Sequence, residues 1–175
     1  MIVETEPFIS PEGTSYEFSE FEKRVVQGLI NGWDYQTFRE NDIRICQIDD
    51  AKKKLSKEFG GSPAIGGFFL AIREMVRQAM QEEGIVELNL DALPSRLAAE
   101  PNDRDLLIWA SMYNGLSPLK TRQLLGEDRL GKLAQLRNSL VRTLGFKNHY
   151  QAVAWWEREK MRLGVQGPMV LCPEN

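Results

Sequence analysis

The sequence predicts an all-α fold made of two small helical domains in tandem. Apolar residues recur with the period of a helix, and one order of helix signals occurs twice along the chain. In each copy a first helix ends in a glycine, Gly32 or Gly115, and a longer third helix ends in another, Gly60 or Gly145. The paired glycines lie 83 and 85 residues apart, so the register drifts by only two residues between the copies.

Each copy is predicted to have three to four helices, and a linker joins the two. A chain of 175 residues can form one or two ordinary cores, and the repeat favours two small ones. No sheet is predicted, and residues 85–90 are the one place where the sequence would allow a short pairing. The predicted divisions are a tail at 1–16, the first copy at 17–81, the linker at 82–101, the second copy at 102–163 and a tail at 164–175.

Composition limits the classes of protein to which this chain can belong. With 42% hydrophobic and 27% charged residues, the chain is neither disordered nor fibrous. No apolar stretch approaches the roughly 20 residues that span a bilayer, and the first ten residues contain acidic groups where a signal peptide has lysines. We therefore expect a cytoplasmic protein with no membrane contact. Cys46 and Cys172 have no metal-ligand spacing around them and are expected to be ordinary reduced thiols.

The net charge of −3 hides an asymmetry between the two halves. Residues 1–90 carry a net charge of −6, whereas residues 91–175 carry +3. Between Pro118 and Lys147 there are seven basic side chains and only two acidic ones, Glu127 and Asp128. A basic region in an acidic protein is either a solvated face or a surface that binds phosphate, and charge alone leaves both interpretations open.

Helix signals divide the second copy into four helices. Gly115 supplies a left-handed cap after the first helix. Ser117 and Pro118 then begin the second, because serine caps free amides and proline fits a first turn. The third helix is expected to begin near Asp128 and to stop at Gly145. The predicted bounds are about 103–114, 117–125, 128–144 and 148–162.

The third helix of the second copy has two unlike faces. Its leucines share one face of a helical wheel and are predicted to be core, whereas polar side chains with donors for base edges and phosphate oxygens share the other. The predicted core residues are Leu133, Leu136, Leu140 and Leu144. The predicted exposed stripe consists of Lys132, Gln135, Asn138 and Arg142.

Residues 102–160 resemble the LuxR/NarL-type helix-turn-helix domain of bacterial transcription regulators. The shared pattern is an apolar helix, Gly-Leu-Ser, a short helix, Leu-Gly, and a third helix with regularly spaced leucines that ends in Leu-Gly-Phe. The resemblance implies that the third helix enters the major groove of duplex DNA and that the fourth helix, around Ala152 to Trp156, forms a dimer contact. Its outward positions are Lys132, Ala134, Gln135, Asn138 and Arg142, and we add Lys120 and Arg129 of the same basic region to the predicted DNA contacts.

The first copy resembles the same domain less closely, over residues 18–80. Its positions equivalent to the DNA-reading ones are Asp49, Asp50, Lys53 and Lys57. Two adjacent carboxylates repel a polyanion, so this copy is expected to be a scaffold that no longer reads bases. Lys53 and Lys57 remain candidates for contacts with backbone phosphate, which require only charge within reach.

Two hypotheses of function follow. The first is a DNA-binding transcriptional regulator, located at the nucleoid, that reads duplex DNA through the third helix of the second copy. The alternative is a protein-interaction module that binds a transcription factor, a sigma factor or RNA polymerase, and the acidic first half favours it. No enzyme is expected and no cofactor, since the sequence has no catalytic motif and its single histidine, His149, is expected at the surface.

The resemblance also implies that two copies of the domain act as a pair. The chain can supply the pair internally, through its own two copies, or externally, by forming a homodimer. Because the first copy carries Asp49 and Asp50, we predict a homodimer that brings two second copies together. Its predicted contacts are the aromatic residues Phe68, Phe69, Trp155 and Trp156.

Overall fold

The computed structural model describes residues 16–60, 66–81, 86–126 and 130–164, and over these ranges the protein is all-α, as predicted. No strand occurs in the described ranges, and the short pairing that the sequence would allow around residues 85–90 is not formed at residues 86–90. No helix in these ranges has the length and apolar character needed to cross a bilayer. The helices are α1 Glu20–Ile30, α2 Tyr35–Glu40, α3 Ile45–Gly60, α4 Gly66–Met80, α5 Asp103–Tyr113, α6 Pro118–Leu125, α7 Leu130–Leu144 and α8 His149–Arg162.

The repeat in the sequence is matched by a repeat of helices. Equivalent helices of the two halves begin 83, 83, 85 and 83 residues apart. The first helix of each half even begins with the same device, a capping box: Ser19 and Glu22 form it in α1, and Asn102 and Asp105 form it in α5. Each box satisfies two backbone amides that would otherwise lack a partner, so both first helices start at a position that the sequence specifies.

The predicted helix ends of the second copy are confirmed where the structure describes them. Ser117 caps α6 and Pro118 is its first residue, while Gly126 ends it in the left-handed region at a φ of 65°. Gly115 and Gly145 also have positive φ angles, of 64° and 88°. These conformations strain residues that carry a Cβ, which is why glycine stands there. The predicted start of the third helix at Asp128 lies outside the described residues.

Both halves share one hydrophobic core, rather than the two small cores expected. The third and fourth helices of the first half, α3 and α4, pack against each other, and α4 also packs against α8 of the second half. Phe68 and Phe69 of α4 are fully buried there, and the Tyr150 ring of α8 lies 5.5 and 5.9 Å from their ring centroids. Because α4 contacts both neighbours, the buried side chains of the two halves form a continuous cluster.

The described part of the linker is packed against the helices. Val86 and Leu93 are buried in the shared core. The Asn89 backbone exchanges two hydrogen bonds with the Gln27 side chain, of 2.7 and 2.9 Å. The Pro94 carbonyl oxygen accepts a hydrogen bond of 2.8 Å from the Trp155 indole. The linker therefore joins α1 of the first half to α8 of the second.

A buried polar cluster ties α4, α5 and α8 together. The Arg73 guanidinium of α4 lies 3.7 Å from the centroid of the Tyr113 ring, and its Nε is 3.5 Å from the Glu157 carboxylate of α8. The Tyr113 hydroxyl donates a hydrogen bond to the same carboxylate. Burial raises the pKa of Tyr113 above its ordinary value, so the phenol keeps the proton that it donates. These contacts link three helices, although the Arg73 Nε itself has no hydrogen-bond partner among the described residues.

Glycine allows the close contact between the two halves, and replacing it should weaken the fold. A Cβ at Gly66 would overlap the Gly115 carbonyl oxygen, whereas a Cβ at Gly131 would meet nothing within 4 Å. We expect Gly66→Ala to lower the free energy of unfolding by about 1–3 kcal/mol. The matched control, Gly131→Ala, should leave it unchanged or raise it by up to about 1 kcal/mol. Urea unfolding followed by circular dichroism measures both, and equal values would contradict the assigned packing.

Candidate nucleic-acid interface

The polar stripe predicted on the third helix of the second copy is exposed. Lys132, Gln135, Asn138 and Arg142 of α7 all face solvent. On the opposite side, Leu133, Leu140 and Leu144 are buried, and Leu136 is half-buried. The two-faced character predicted from the helical period is therefore confirmed, with Leu136 at the edge of the core.

The remaining exposed positions of α7 are small. Ala134, Ser139 and Thr143 lie between the stripe residues and face solvent. The helix is held from behind by α5, α6 and α8, so its outer surface stays free of the chain's own elements. No carboxylate occurs in the residues that form α6 and α7. The outer surface of α7 therefore carries cationic and amide side chains and no carboxylate of its own, whereas Glu127 and Asp128, between α6 and α7, lie outside the described residues.

Two more predicted DNA contacts belong to α6 and to the turn that follows it. Lys120 lies in the first turn of α6 and is exposed. Its backbone amide donates to the Ser117 cap, at 3.2 Å. Arg129 lies outside the described residues. Lys120 therefore lies in the same half of the protein as the stripe of α7. The DNA contact predicted for Arg129 stays a prediction.

Arg137 is the basic residue of α7 that does not join the stripe. Only 7% of its surface is exposed, and its Nε has no hydrogen-bond partner in the described structure. Burial lowers the pKa of this guanidinium. The sequence placed Arg137 in a run of basic residues but contains no signal for its burial, because the side chain is enclosed by contacts from outside its own helix.

His149, the first residue of α8, is half-buried rather than at the surface as expected. Burial lowers the pKa of His149 below its ordinary value, and the positive charge of Arg137 lowers it further. The imidazole is therefore neutral near pH 7. No group of three His, Cys, Asp or Glu side chains in the described ranges is arranged to hold a metal ion.

The corresponding face of the first copy has mixed charge. Asp49, Asp50, Lys53 and Lys57 of α3 are all exposed, as the sequence predicts. Neither Lys53 nor Lys57 forms an ion pair with a described residue, whereas the neighbouring Lys54 is 2.9 Å from Glu22. These two lysines stand one helical turn apart and so share one side of α3.

A groove between α2 and the start of α3 was not predicted from the sequence. It has a volume of about 830 Å³, and its apolar part consists of Tyr35 and Ile45, which are 57% and 49% exposed. The sequence alone contains no signal for this groove, because an apolar residue at the start of a helix can be either buried or exposed. The lining residues are Tyr35, Gln36, Arg39, Glu40, Arg44, Ile45 and Cys46, whose thiol is free.

The aromatic residues that were predicted to form a contact between two chains pack against helices of their own chain. Phe68 and Phe69 are buried by α8 of the same chain, so the prediction that they contact a second copy is wrong. Trp155 and Trp156 are half-buried. Their ring centroids lie 5.6 and 4.5 Å from that of Trp109 in α5.

Comparisons with known proteins add no relative. The chain matches no protein-family model, no curated protein and no solved structure.

Leucines at the centre and at the edge of the α7 packing should differ in their contribution to stability. Leu140 is buried and Leu136 is half-buried. We expect Leu140→Ala to lower the free energy of unfolding by roughly 2–5 kcal/mol, because it leaves a cavity. Leu136→Ala should cost less. Denaturant unfolding compares the two, and a larger loss for Leu136→Ala would contradict the orientation of α7.

The half-buried imidazole of His149 should make stability fall in mild acid. Above about pH 6.5 histidine is neutral in both folded and unfolded chains. Below that pH the unfolded chain takes up a proton before the folded chain does, so the free energy of unfolding decreases. We expect the melting temperature to fall more between pH 7.5 and 5.5 for the wild type than for His149→Gln. His149 is the only histidine, so parallel curves would exclude this cause.

Proposed function

We propose that the protein is a DNA-binding transcriptional regulator, working in the cytoplasm at the nucleoid. In this proposal residues 102–163 are a helix-turn-helix domain of LuxR/NarL type that reads duplex DNA through α7. The observation that carries the proposal is the outer face of α7, where Lys132, Gln135, Asn138 and Arg142 are exposed and no carboxylate intervenes.

The size and chemistry of this face suit the major groove. An α-helix with its side chains is about 10–12 Å across, and the groove of B-form DNA is about 12 Å wide. Gln135 and Asn138 each carry an amide that donates and accepts, the pattern that pairs with the edge of adenine. Both lie near the middle of α7. They are the residues proposed to distinguish bases.

The cationic residues have a different role in the proposal. Lys132 and Arg142 lie toward opposite ends of α7, where a helix in a groove comes near the phosphates. Lys120 adds a third cation from the first turn of α6. Phosphate contacts fix the register of a protein on DNA and supply most of its affinity, without carrying sequence information directly.

The alternative function is supported by a separate surface. The groove between α2 and α3 exposes Tyr35 and Ile45 beside Arg39 and Arg44. Tyrosine and arginine are enriched among the residues that dominate protein–protein binding energies. A transcription factor, a sigma factor or RNA polymerase is the partner class for this role. Affinity for such a partner would depend on Tyr35 and Ile45 and not on the α7 stripe.

Removing the two cations of the α7 stripe should weaken DNA binding without unfolding the protein. We expect Lys132→Ala/Arg142→Ala to bind duplex DNA less tightly and to reduce the slope of log affinity against log salt by on the order of 1–2. Gln135→Ala and Asn138→Ala should each cost roughly 1–3 kcal/mol on a preferred sequence selected from random duplexes. Fluorescence anisotropy at several salt concentrations measures these changes.

The matched control removes two exposed arginines away from α7. Arg96→Ala/Arg104→Ala changes the net charge by the same amount, at sites in the linker and at the start of α5. This variant should bind DNA nearly as the wild type does. If instead Lys132→Ala/Arg142→Ala binds as tightly as the wild type, α7 does not read DNA. If the wild type shows no salt-dependent binding to duplex at all, the proposed function is excluded.

A further inference from the structure

The fourth helices of the two halves pack against each other within one chain. Exchanging the two halves replaces α1 by α5 and α4 by α8. The contact between α4 and α8 is unchanged by this exchange. The contact between α1 and α8 corresponds to the contact between α5 and α4. All of these contacts occur. A contact that is equivalent from both sides is the arrangement by which a symmetric dimer is built.

Hydrogen bonds between the halves end on equivalent acceptors, although their donors, Gln151 and Arg73, are not at equivalent positions. The Gln151 side chain of α8 donates to the Ile30 carbonyl oxygen, at 2.8 Å, and the Arg73 side chain of α4 donates to the Tyr113 carbonyl oxygen, at 2.9 Å. Ile30 and Tyr113 are the last residues of α1 and α5 and lie 83 positions apart. In each case the fourth helix of one half caps the first helix of the other.

The glycines after these two helices are contacted in the same way. Gly32 and Gly115 both have positive φ angles, of 75° and 64°. A Cβ at Gly115 would lie 2.6 Å from the carbonyl oxygen of Gly66, the first residue of α4, and one at Gly32 would overlap the side chain of Lys147, just before α8. The entry of each fourth helix therefore covers the glycine turn of the other half.

From these contacts we infer that the chain is its own pseudo-dimer and binds DNA as a monomer at an asymmetric site. The inference rests on the proposed function. In it, α7 reads the bases of one half of the site, and α3 contacts only the phosphates of the other half, through Lys53 and Lys57. The surface that would join two chains is already occupied, since Phe68 and Phe69 are buried against α8.

The chemistry of α3 explains why its half of the site is not read. Asp49 and Asp50 are exposed one turn before Lys53, and carboxylates repel the phosphates that line a groove. Lys53 and Lys57 are exposed, form no ion pair with a described residue and share one side of the helix. A flexible ammonium group can reach a phosphate while the carboxylates remain outside the groove.

The first measurement is the mass of the complex. The wild-type chain is mixed with a duplex carrying the sequence that it selects, and light scattering after size exclusion gives the mass of the free protein and of the complex. We expect one chain of 20.0 kDa in both cases, and a selected sequence that is not palindromic. Two chains on each duplex, or a palindromic sequence, would overturn the inference while leaving the proposed function intact.

The second measurement tests the contribution of α3. We expect Lys53→Ala/Lys57→Ala to select the same sequence as the wild type but to reduce the salt slope by about 1.8, since each phosphate contact contributes about 0.9. Between 50 and 200 mM salt, its affinity should then fall about tenfold less than that of the wild type. Chemical footprinting should show that the duplex loses protection on only one side of the selected sequence. Circular dichroism establishes that the variant is folded.

Two matched variants separate the outcomes. Arg96→Ala/Arg104→Ala removes the same charge elsewhere and should keep the wild-type slope, whereas Asp49→Asn/Asp50→Asn should tighten binding by removing repulsion. If Lys53→Ala/Lys57→Ala keeps both the slope and the footprint of the wild type, α3 does not touch DNA and the inference is overturned. If the wild type binds no duplex, both the proposed function and this inference are excluded.

Discussion

The packing of α4 against α8 is the contact on which the rest of the structure depends. It joins two sets of helices that the sequence presents as separate and merges their apolar residues into one core. Gly66 is needed there because the backbone of α4 approaches the Gly115 turn too closely for a Cβ. Once the two fourth helices are in contact, each first helix has its last carbonyl capped by the opposite half.

This contact also determines which surfaces remain available. The aromatic side chains of α4 are buried inside the chain, whereas α7 packs its inner face against α5, α6 and α8 and leaves its outer face exposed. The position of α7 thus depends on α8, and α8 depends on the first half through Gln151 and Glu157. The first half therefore supports α7 through α8, while the exposed face of its own third helix carries Asp49 and Asp50.

The features that were predictable from the sequence are local ones. Ser117 and Pro118 mark the start of α6 because their effect acts within a single turn, and the leucines of α7 identify its buried face because their spacing matches one helix. Contacts between distant segments leave no such signal. The burial of Phe68 under α8, the enclosure of Arg137 and the joining of two expected cores into one all arise from residues far apart in the sequence. The groove at Tyr35 was missed for the converse reason, since an exposed apolar residue has the same sequence pattern as a buried one.

The two halves differ most where packing does not constrain them. Their first helices both begin with a capping box and end in a glycine turn, and the glycine turns are held close to the entries of α4 and α8. The outer faces of α3 and α7 are exposed and accept substitution at little cost in stability. The acidic pair Asp49 and Asp50 on one face and the carboxylate-free stripe on the other are therefore compatible with one shared architecture. A pseudo-dimer built in a single chain gives its two halves this freedom, whereas a homodimer must carry the same face twice.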